Sequence, residues 1–441
     1  MLQKFCIHID NEFSFLKDKK LLIAISGGID SVVITHLFDQ LHFSIGLAHC
    51  NFKLRGKASD GDEEFVKNLG VQLQIPVFTN SFDTTSIATN QKKSIQITAR
   101  ELRYIWFEKL LQKHGFDYVV TAHHADDNLE TFLINLTRAT GLKGFSGIPK
   151  KNKNIVRPLL TFSRDCIVDF AMQNNISWRE DQSNTSTKYV RNKIRHKIIP
   201  ILKEINPSLL NSFSNTVKHI EESQIIIDAK ITAVKREIFQ EKNISGKKYF
   251  SLSIAKISNL ENPKTYLYQL LKEYHFTEWN DIVGLLTAQS GKKIHSKTHT
   301  LLKDRVTLLL YKISDFQLTD TVFQISEHQK KLTEPIHLRI EKTTQQTNEA
   351  GTIYIDKNLI SFPLQIRKWQ TGDVFFPLGM KGKKKLSKFF KDEKMSLLEK
   401  ENTWLLCTSK NEIIWVVNRR KDRRFILSQN DTNGLKITSV Q

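Results

Sequence analysis

Six residues, Ser26-Gly27-Gly28-Ile29-Asp30-Ser31, interrupt one apolar run and open another of different period. Two adjacent glycines let a backbone turn tightly and approach a ligand without Cβ obstruction. A helix beginning near Ser31 aims its free N–H groups and positive dipole end at the same point, which suits a phosphate. Ser26 and Ser31 add hydroxyl donors. Asp30 repels phosphate, so its presence implies either an N-terminal helix cap or a ligand for a Mg²⁺ that accompanies the phosphates. A second stretch, AHHADDNLET from Ala122 to Thr131, runs from a strand end into a helix. Asp126 and Asp127 suit the first turn of that helix by dipole logic. Glu130 follows Asp126 by one helical turn and shares its face. Two carboxylates that converge at a strand's carboxyl end beside a phosphate loop are costly unless a metal neutralises them, so a Mg²⁺ site is expected there. His123 joins them as an expected catalytic residue, although packing or hydrogen bonding accounts equally well for a single histidine of the His123-His124 pair. No second His/Cys cluster has the spacing of a zinc site. Two more stretches carry usable side chains: His49-Cys50-Asn51-Phe52-Lys53-Leu54-Arg55-Gly56, and Ala99-Arg100-Glu101-Leu102-Arg103-Tyr104.

The elements that must position these residues alternate along the first half of the chain. LLIAI (21–25), FSIGLAH (43–49), IPVF (75–78) and DYVVTAH (117–123) are short, apolar and β-branched or aromatic, as buried parallel strands are. Helix-length amphipathic segments lie between and after them: Ser31–Leu41, Asp60–Leu69, Lys92–His114 and Asp126–Thr140. That alternation predicts an α/β domain with a doubly wound parallel sheet, its ligand site at the carboxyl ends of the strands. After about Ser163 the pattern turns helical, with Pro207–Phe239 as one long stretch. Strand-like pieces return from about Leu301. A compact last unit places a helix at LSKFFKDEKM and a hairpin at TWLLCTS with EIIWVVN. The expected plan is a catalytic domain over 1–213, a mostly helical middle domain over 214–350 and a small basic α+β domain over 351–441.

The 441 residues carry 66 Lys and Arg against 46 Asp and Glu, a formal charge of +20. From Ser361 onward the count is 17 against 8, so the last domain is the expected surface for a polyanion such as RNA. No apolar run approaches the ~20 residues of a membrane span. The N-terminus lacks a signal peptide's apolar core, and four scattered cysteines form no disulfide framework. A cytoplasmic protein with reduced thiols and no membrane partner is expected.

The loop lacks the lysine of GxxxxGK[ST] and does not match GxGxxG. SGGxDS directly after a buried strand instead resembles the pyrophosphate loop of the N-type ATP pyrophosphatases, the PP-loop superfamily. Within that superfamily the chain resembles the tRNA(Ile)-lysidine synthetase family. The resemblance rests on HxNxxLRG at His49–Gly56 and AHHxDDxxET at Ala122–Thr131. It extends to Gly147-Ile148-Pro149 with Arg157-Pro158-Leu159-Leu160, Asp181-Gln182-Ser183-Asn184, and Arg191-Asn192-Lys193-Ile194-Arg195 with Pro200. At the C-terminus it covers Gly372-Asp373, Phe376–Met380, Lys384-Lys385-Leu386 and Phe389-Phe390. Two positions depart from it: Phe52, where the family often has His, and Asn128, where it often has Gln. Phe52 cannot titrate, so no acid–base role falls there.

The resemblance implies ATP, Mg²⁺, free L-lysine and tRNA(Ile)(CAU) as ligands, and it is compatible with a homodimer. Cytosine O2 of the wobble base attacks the α-phosphate, pyrophosphate leaves, and the lysine ε-amine then displaces AMP from C2. The product, lysidine, changes the codon read from AUG to AUA. Ser26, Gly27, Gly28, Ile29, Asp30 and Ser31 are implied to hold ATP. Asp30, Asp127 and Glu130 are implied to share Mg²⁺ or orient the lysine ammonium. His49, Asn51, Arg55, Arg100, Arg103, Arg191, Asn192, Arg195, Lys384 and Lys385 are implied to contact tRNA or substrate. Two rival readings stand beside this one. A thiolating or amidating enzyme of the same superfamily needs a catalytic cysteine or an ammonia source. A non-catalytic RNA-binding protein has no use for intact loop carboxylates.

Overall fold

The computed structural model describes residues 1–441 apart from 139, 181–189, 245, 317–320, 429–431 and 441. The chain divides into two compact units, Met1–Ile227 and Asp228–Gln441.

The first unit begins with α1 (Leu2–Glu12), β1 (Lys20–Ala24), α2 (Ile29–Gln40), β2 (Ser44–Asn51), α3 (Lys57–Leu73) and β3 (Val77–Ser81). It continues through α4 (Thr84–Asn90), α5 (Ile95–His114), β4 (Tyr118–Val120), α6 (Ala125–Leu136) and α7 (Leu142–Phe145). Then come β5 (Lys151–Asn152), β6 (Ile155–Val156) and α8 (Arg164–Gln173). The sheet order is β3-β2-β1-β4-β6-β5, with only β5 antiparallel to its neighbour. Successive side chains of β1 serve opposite faces, the period-two rule for strands. Leu21 and Ile23 join one apolar cluster with Val33, Leu37 and Phe170, whereas Leu22 joins the other with Phe107 and Leu111. Helices cover both faces, which is why this strand reads as unbroken apolar sequence. The chain winds from β1 out to β3 and then returns to the far side of β1 with β4. The strand order reverses between those two, and a crevice opens there at their carboxyl ends. The phosphate-type loop leaves β1 and the AHHADD stretch leaves β4, so both discharge into that crevice.

Past α8, α9 (Val190–Lys193) and α10 (Ile199–Ile205) are joined by a π-helical turn, Ile194–Ile198. The long α11 (Leu209–Ile238) contains the boundary between the units.

The second unit opens with an antiparallel sheet of five strands, Phe239–Ile244, Lys247–Ser253, Thr307–Lys312, His299–Asp304 and Lys293–His295. Helices Ile254–Ser258, Pro263–Leu271 and Trp279–Gly284 pack against it around Leu267, Leu271 and Ile282. The helical expectation therefore holds for α11 and for these segments, while strands flank them on both sides. A second five-stranded sheet runs through 364–368, 404–407 and 413–416, with a four-stranded one beside it. The expected hairpin is present as Trp404–Cys407 paired with Ile413–Val416, and the expected helix spans Leu386–Asp392. A latch joins the two halves of this unit. Leu398 enters a cluster with Tyr249, Leu302, Leu309 and Tyr311. One Arg305 Nη2 donates to the carbonyls of Lys394 and Met395 at 2.8 and 2.7 Å. Among the described residues, no helix is long and apolar enough to cross a membrane.

Candidate functional site

The loop after β1 closes on itself through its hydroxyls. The Ser31 hydroxyl donates to the Gly28 carbonyl at 2.8 Å and accepts from the Ser26 amide at 3.1 Å. The Ser26 hydroxyl accepts from the Gly28 amide at 3.3 Å. Gly28 is the N-cap of α2 and has no side chain to fill the first turn, which leaves the helix end open toward the crevice. Gly27 has φ +91°, a conformation L side chains rarely adopt. A Cβ on Gly27 would meet nothing nearer than 3.6 Å, so backbone strain rather than crowding dictates glycine there. Gly27→Ala is expected to reduce stability by about 1 kcal/mol and to weaken ATP binding by displacing the loop amides. Urea unfolding and an ATP titration check this, and an unchanged ATP affinity would contradict the cradle.

Asp30 stands in the first turn of α2 facing the end of β4. Its Oδ2 lies 3.8 Å from His124 Nε2 and 3.6 Å from Arg164 Nη1. Its Oδ1 is buried without a hydrogen-bond partner among the described residues. Burial pushes its carboxyl above the usual range, against the pull of His124 and Arg164. Asp127 Oδ2 lies 3.4 Å from the same His124 nitrogen and also accepts the His124 amide at 3.2 Å, capping α6. One imidazole, 1 % exposed, thus stands between the two carboxylates at the switch point.

Asp126 and Asp127 separate because neighbouring helical positions point about 100° apart. Asp126 turns away from the crevice, accepting the Arg164 amide at 2.9 Å and Lys203 Nζ at 3.0 Å. Burial alone would raise its carboxyl, but those two donors hold it below the usual range. Glu130, whose side chain is 0 % exposed, is gripped by Arg195 Nε at 2.5 Å and Arg191 Nε at 3.0 Å. Arg195 Nη2 reaches on to Asp127 Oδ1 at 3.0 Å. Arg195 sits on the π-helical turn, a local widening that often marks functional positions. The expected three-carboxylate metal set is accordingly not assembled. Among the described residues no group of three His, Cys, Asp or Glu side chains is arranged for a cation, because two arginines take up Glu130. Asp30 and Asp127 retain oxygens that fit a Mg²⁺ travelling with phosphates. The orphaned Oδ1 of Asp30 is the sharpest sign of it.

His123 bonds Thr121 Oγ1 through Nδ1 at 3.0 Å. Burial lowers its pKa from 6.5 to about 4, with Asp127 pulling the other way. Between those values the unfolded chain binds a proton that the native chain does not. Stability therefore falls as pH drops through that window and is retained above it. The expected loss is on the order of 2 kcal/mol between pH 7 and pH 4.5, and His123→Asn should flatten it in urea unfolding.

The remaining expected residues divide between crevice and scaffold. His49 is buried beside β1 and donates from Nδ1 to the Ile25 carbonyl at 3.0 Å. Asn51 fastens β2 to α3 by donating to Asp60 and Glu63, both at 3.0 Å. Arg55 pairs with Asp62 at 2.6 Å, and Asp62 also takes Arg179 Nε at 2.6 Å. The Arg179 amide donates to the Gly27 carbonyl at 3.0 Å, so this ion-pair trio braces the loop from behind. Arg100 and Arg103 lie on α5 over the rings of Tyr104 and Phe52. Arg191 also donates to Thr131 Oγ1 at 2.7 Å, and Asn192 is half-buried on α9. Asn128 accepts the Ile148 amide at 2.6 Å, tying α6 to the Gly147-Ile148-Pro149 turn. Lys384 pairs with Asp392 at 2.7 Å, and Lys385 is exposed. Asp181 to Asn184 lie outside the described residues. The sequence reading weighed His124 only as one of the His123-His124 pair, and Arg164 and Arg179 were passed over. His124 alone had a local signal, as the residue immediately before an acidic first helical turn.

Three family descriptions match the chain: a PP-loop domain over residues 1–202, a TilS substrate binding domain over 245–313 and a TilS substrate C-terminal domain over 364–438. Curated relatives extend over nearly the whole length. The tRNA(Ile)-lysidine synthase of Parabacteroides distasonis is 38 % identical, covering 97 % of this chain and 97 % of its own. That of Bacteroides thetaiotaomicron is 36 % identical with the same coverage of both chains. That of Porphyromonas gingivalis strain W83 is 34 % identical over 93 % of this chain and 92 % of its own.

Proposed function

The chain belongs to the tRNA(Ile)-lysidine synthase family, and from that premise we propose how its residues divide the work. It is a ligase that uses ATP to form a carbon–nitrogen bond, making lysidine at the wobble position of tRNA(Ile). The observation that carries the residue assignment is the convergence of Asp30 and Asp127 on one buried ring, 3.8 and 3.4 Å from His124 Nε2, beside an open helix end.

In this reading the loop amides and hydroxyls from Ser26 to Ser31 hold the β- and γ-phosphates as the leaving pyrophosphate. Cytosine O2 forms its bond to the α-phosphorus as the bridge to pyrophosphate breaks. The ε-amine of free L-lysine then adds at C2, loses its proton, and AMP departs with the C–O bond electrons. Such transfers depend on positioning and charge neutralisation more than on a protein nucleophile. Asp30 and Asp127 would hold Mg²⁺, which offsets phosphate charge when bound. Arg195, fixed by Glu130 and Asp127, keeps a guanidinium directed at the crevice. His123, neutral near pH 7, accepts a hydrogen bond or proton from the incoming amine. The test is incubation with tRNA(Ile)(CAU) transcript, ATP, Mg²⁺ and radiolabelled lysine. Folded protein that leaves the tRNA unlabelled would refute the assignment.

Residues 214–350 and 351–441 contact tRNA in the same reading, in the cytoplasm where tRNA is processed. Support comes from the basic excess of the last segment. Lysines that neutralise phosphates supply affinity and a salt dependence without reading sequence. Lys385→Ala is expected to remove about one unit from the slope of log affinity against log salt. Lys384→Ala should remove less, because Asp392 already claims that ammonium. Filter binding across a salt series compares the two.

A further inference from the structure

Two guanidinium–ring pairs stand side by side at the carboxyl edge of the first-unit sheet. Phe52 directly follows β2 and Phe82 directly follows β3, so both rings lie on the edge where the crevice opens. They stack with centroids 5.7 Å apart and planes 21° from parallel. Trp106 closes the column edge-on against Phe82 at 6.4 Å. Arg103 covers the other side of the column, its Cζ 5.3 Å from the Phe52 centroid. Three residues earlier on α5, Arg100 lies over Tyr104 at 5.0 Å. Among the described residues neither guanidinium has a carboxylate partner, and Glu101 between them is taken by Lys93 at 2.6 Å. His123 follows β4 on the same carboxyl edge of that sheet, the side on which the reaction crevice opens.

An arginine backed by a ring and free of carboxylates keeps its outer face and its N–H fork available. That is the arrangement on which unpaired RNA bases stack. Phe52 matters because a histidine there would divide its ring between stacking and hydrogen bonding, whereas a phenylalanine can only stack. We propose that Arg103 on Phe52, with Arg100 on Tyr104 beside it, forms a stacking platform for an unpaired base of the tRNA anticodon loop next to the modified cytidine.

The inference rests on the tRNA reading of this site but is tested apart from catalysis. The probe is an anticodon stem-loop RNA, its affinity measured by fluorescence anisotropy without ATP or lysine, and KM values for tRNA and ATP are then measured in the full reaction. Phe52→Leu keeps bulk and loses the π face. Arg103→Lys keeps the charge and loses the plane. Each is expected to weaken stem-loop binding and raise the KM for tRNA about tenfold, leaving the KM for ATP unchanged. Arg103→Lys should leave the salt slope as it was, because a stacking contact and not a phosphate contact has been lost. Phe52→Tyr should restore wild-type affinity. A rise in the KM for ATP would assign the platform to adenine and overturn the proposal. So would wild-type binding by Phe52→Leu, or a lowered melting temperature that Phe52→Tyr does not recover. A wild-type protein that binds the stem-loop but transfers no lysine would overturn the enzymatic reading and leave the platform standing.

Discussion

Asp30→Asn is expected to lower lysine transfer by about 10³-fold, the scale of losing one preorganised charge at a reacting centre, while making the ligand-free protein more stable. Both effects follow from the same geometry. Among the described residues one oxygen of Asp30 is buried without a partner, and the His124 ring and the Arg164 guanidinium stand at 3.8 and 3.6 Å, too far for direct bonds. Burial therefore outweighs them, and the native carboxyl holds its proton to higher pH than the unfolded one. A carboxyl shifted in that direction stabilises the fold only below its unfolded value and detracts as pH rises through its native one. At neutral pH the ionised side chain is a strain on the empty protein, relieved when a ligand supplies the missing charge. Asparagine removes the strain and the function together. Denaturant unfolding at pH 7 and the lysine-transfer assay test the pair of effects. Retained transfer, or a variant less stable than wild type, would show that Asp30 is only a helix-end residue.

Arg195→Met is expected to do the reverse, costing both stability and activity. Glu130 is fully buried, and Arg195 donates to it twice while also reaching Asp127. Removing one partner of such a pair leaves a charge uncompensated, at about 3–5 kcal/mol. Arg191 remains on Glu130, which puts the expectation near the lower figure. Adding Glu130→Gln to Arg195→Met removes the stranded charge, so the double variant should recover most of the stability and none of the transfer. Urea unfolding of the single and double variants, with transfer assayed in parallel, separates the two roles. If the double variant is as unstable as the single one, the cost lies in packing and not in charge.

What could be read before the structure was known is what the local chain encodes. The strand–loop–helix at Ser26–Ser31 announces itself because the glycines, the hydroxyls and the buried strand are contiguous. The choice between Asp126 and Asp127 was not local. Both suit a first helical turn, and only Arg164 and Lys203, far along the chain, draw Asp126 out of the crevice. Arg195 was foreseen as an RNA contact, yet its contacts lie 65 and 68 residues away on α6, a distance no spacing rule spans. The strands before Leu301 escaped for a different reason. Phe239–Ile244 reads FQEKNI, an exposed edge strand whose polar residues show no alternation, and it follows a long amphipathic helix without a break. Leu252 acquires its meaning only when paired with Leu308, in a strand-like piece the sequence does announce.

The latch in the second unit has a practical consequence. Arg305 is seated on the carbonyls of Lys394 and Met395, and Leu398 packs against Tyr249 and Tyr311 of the other half. A chain ending between Phe316 and Lys394 would uncover those apolar side chains and leave two Arg305 hydrogens without these carbonyls. Residues 394–398 therefore serve two folds at once, closing their own half of the unit and finishing the surface of the half that carries Tyr249, Leu302 and Arg305.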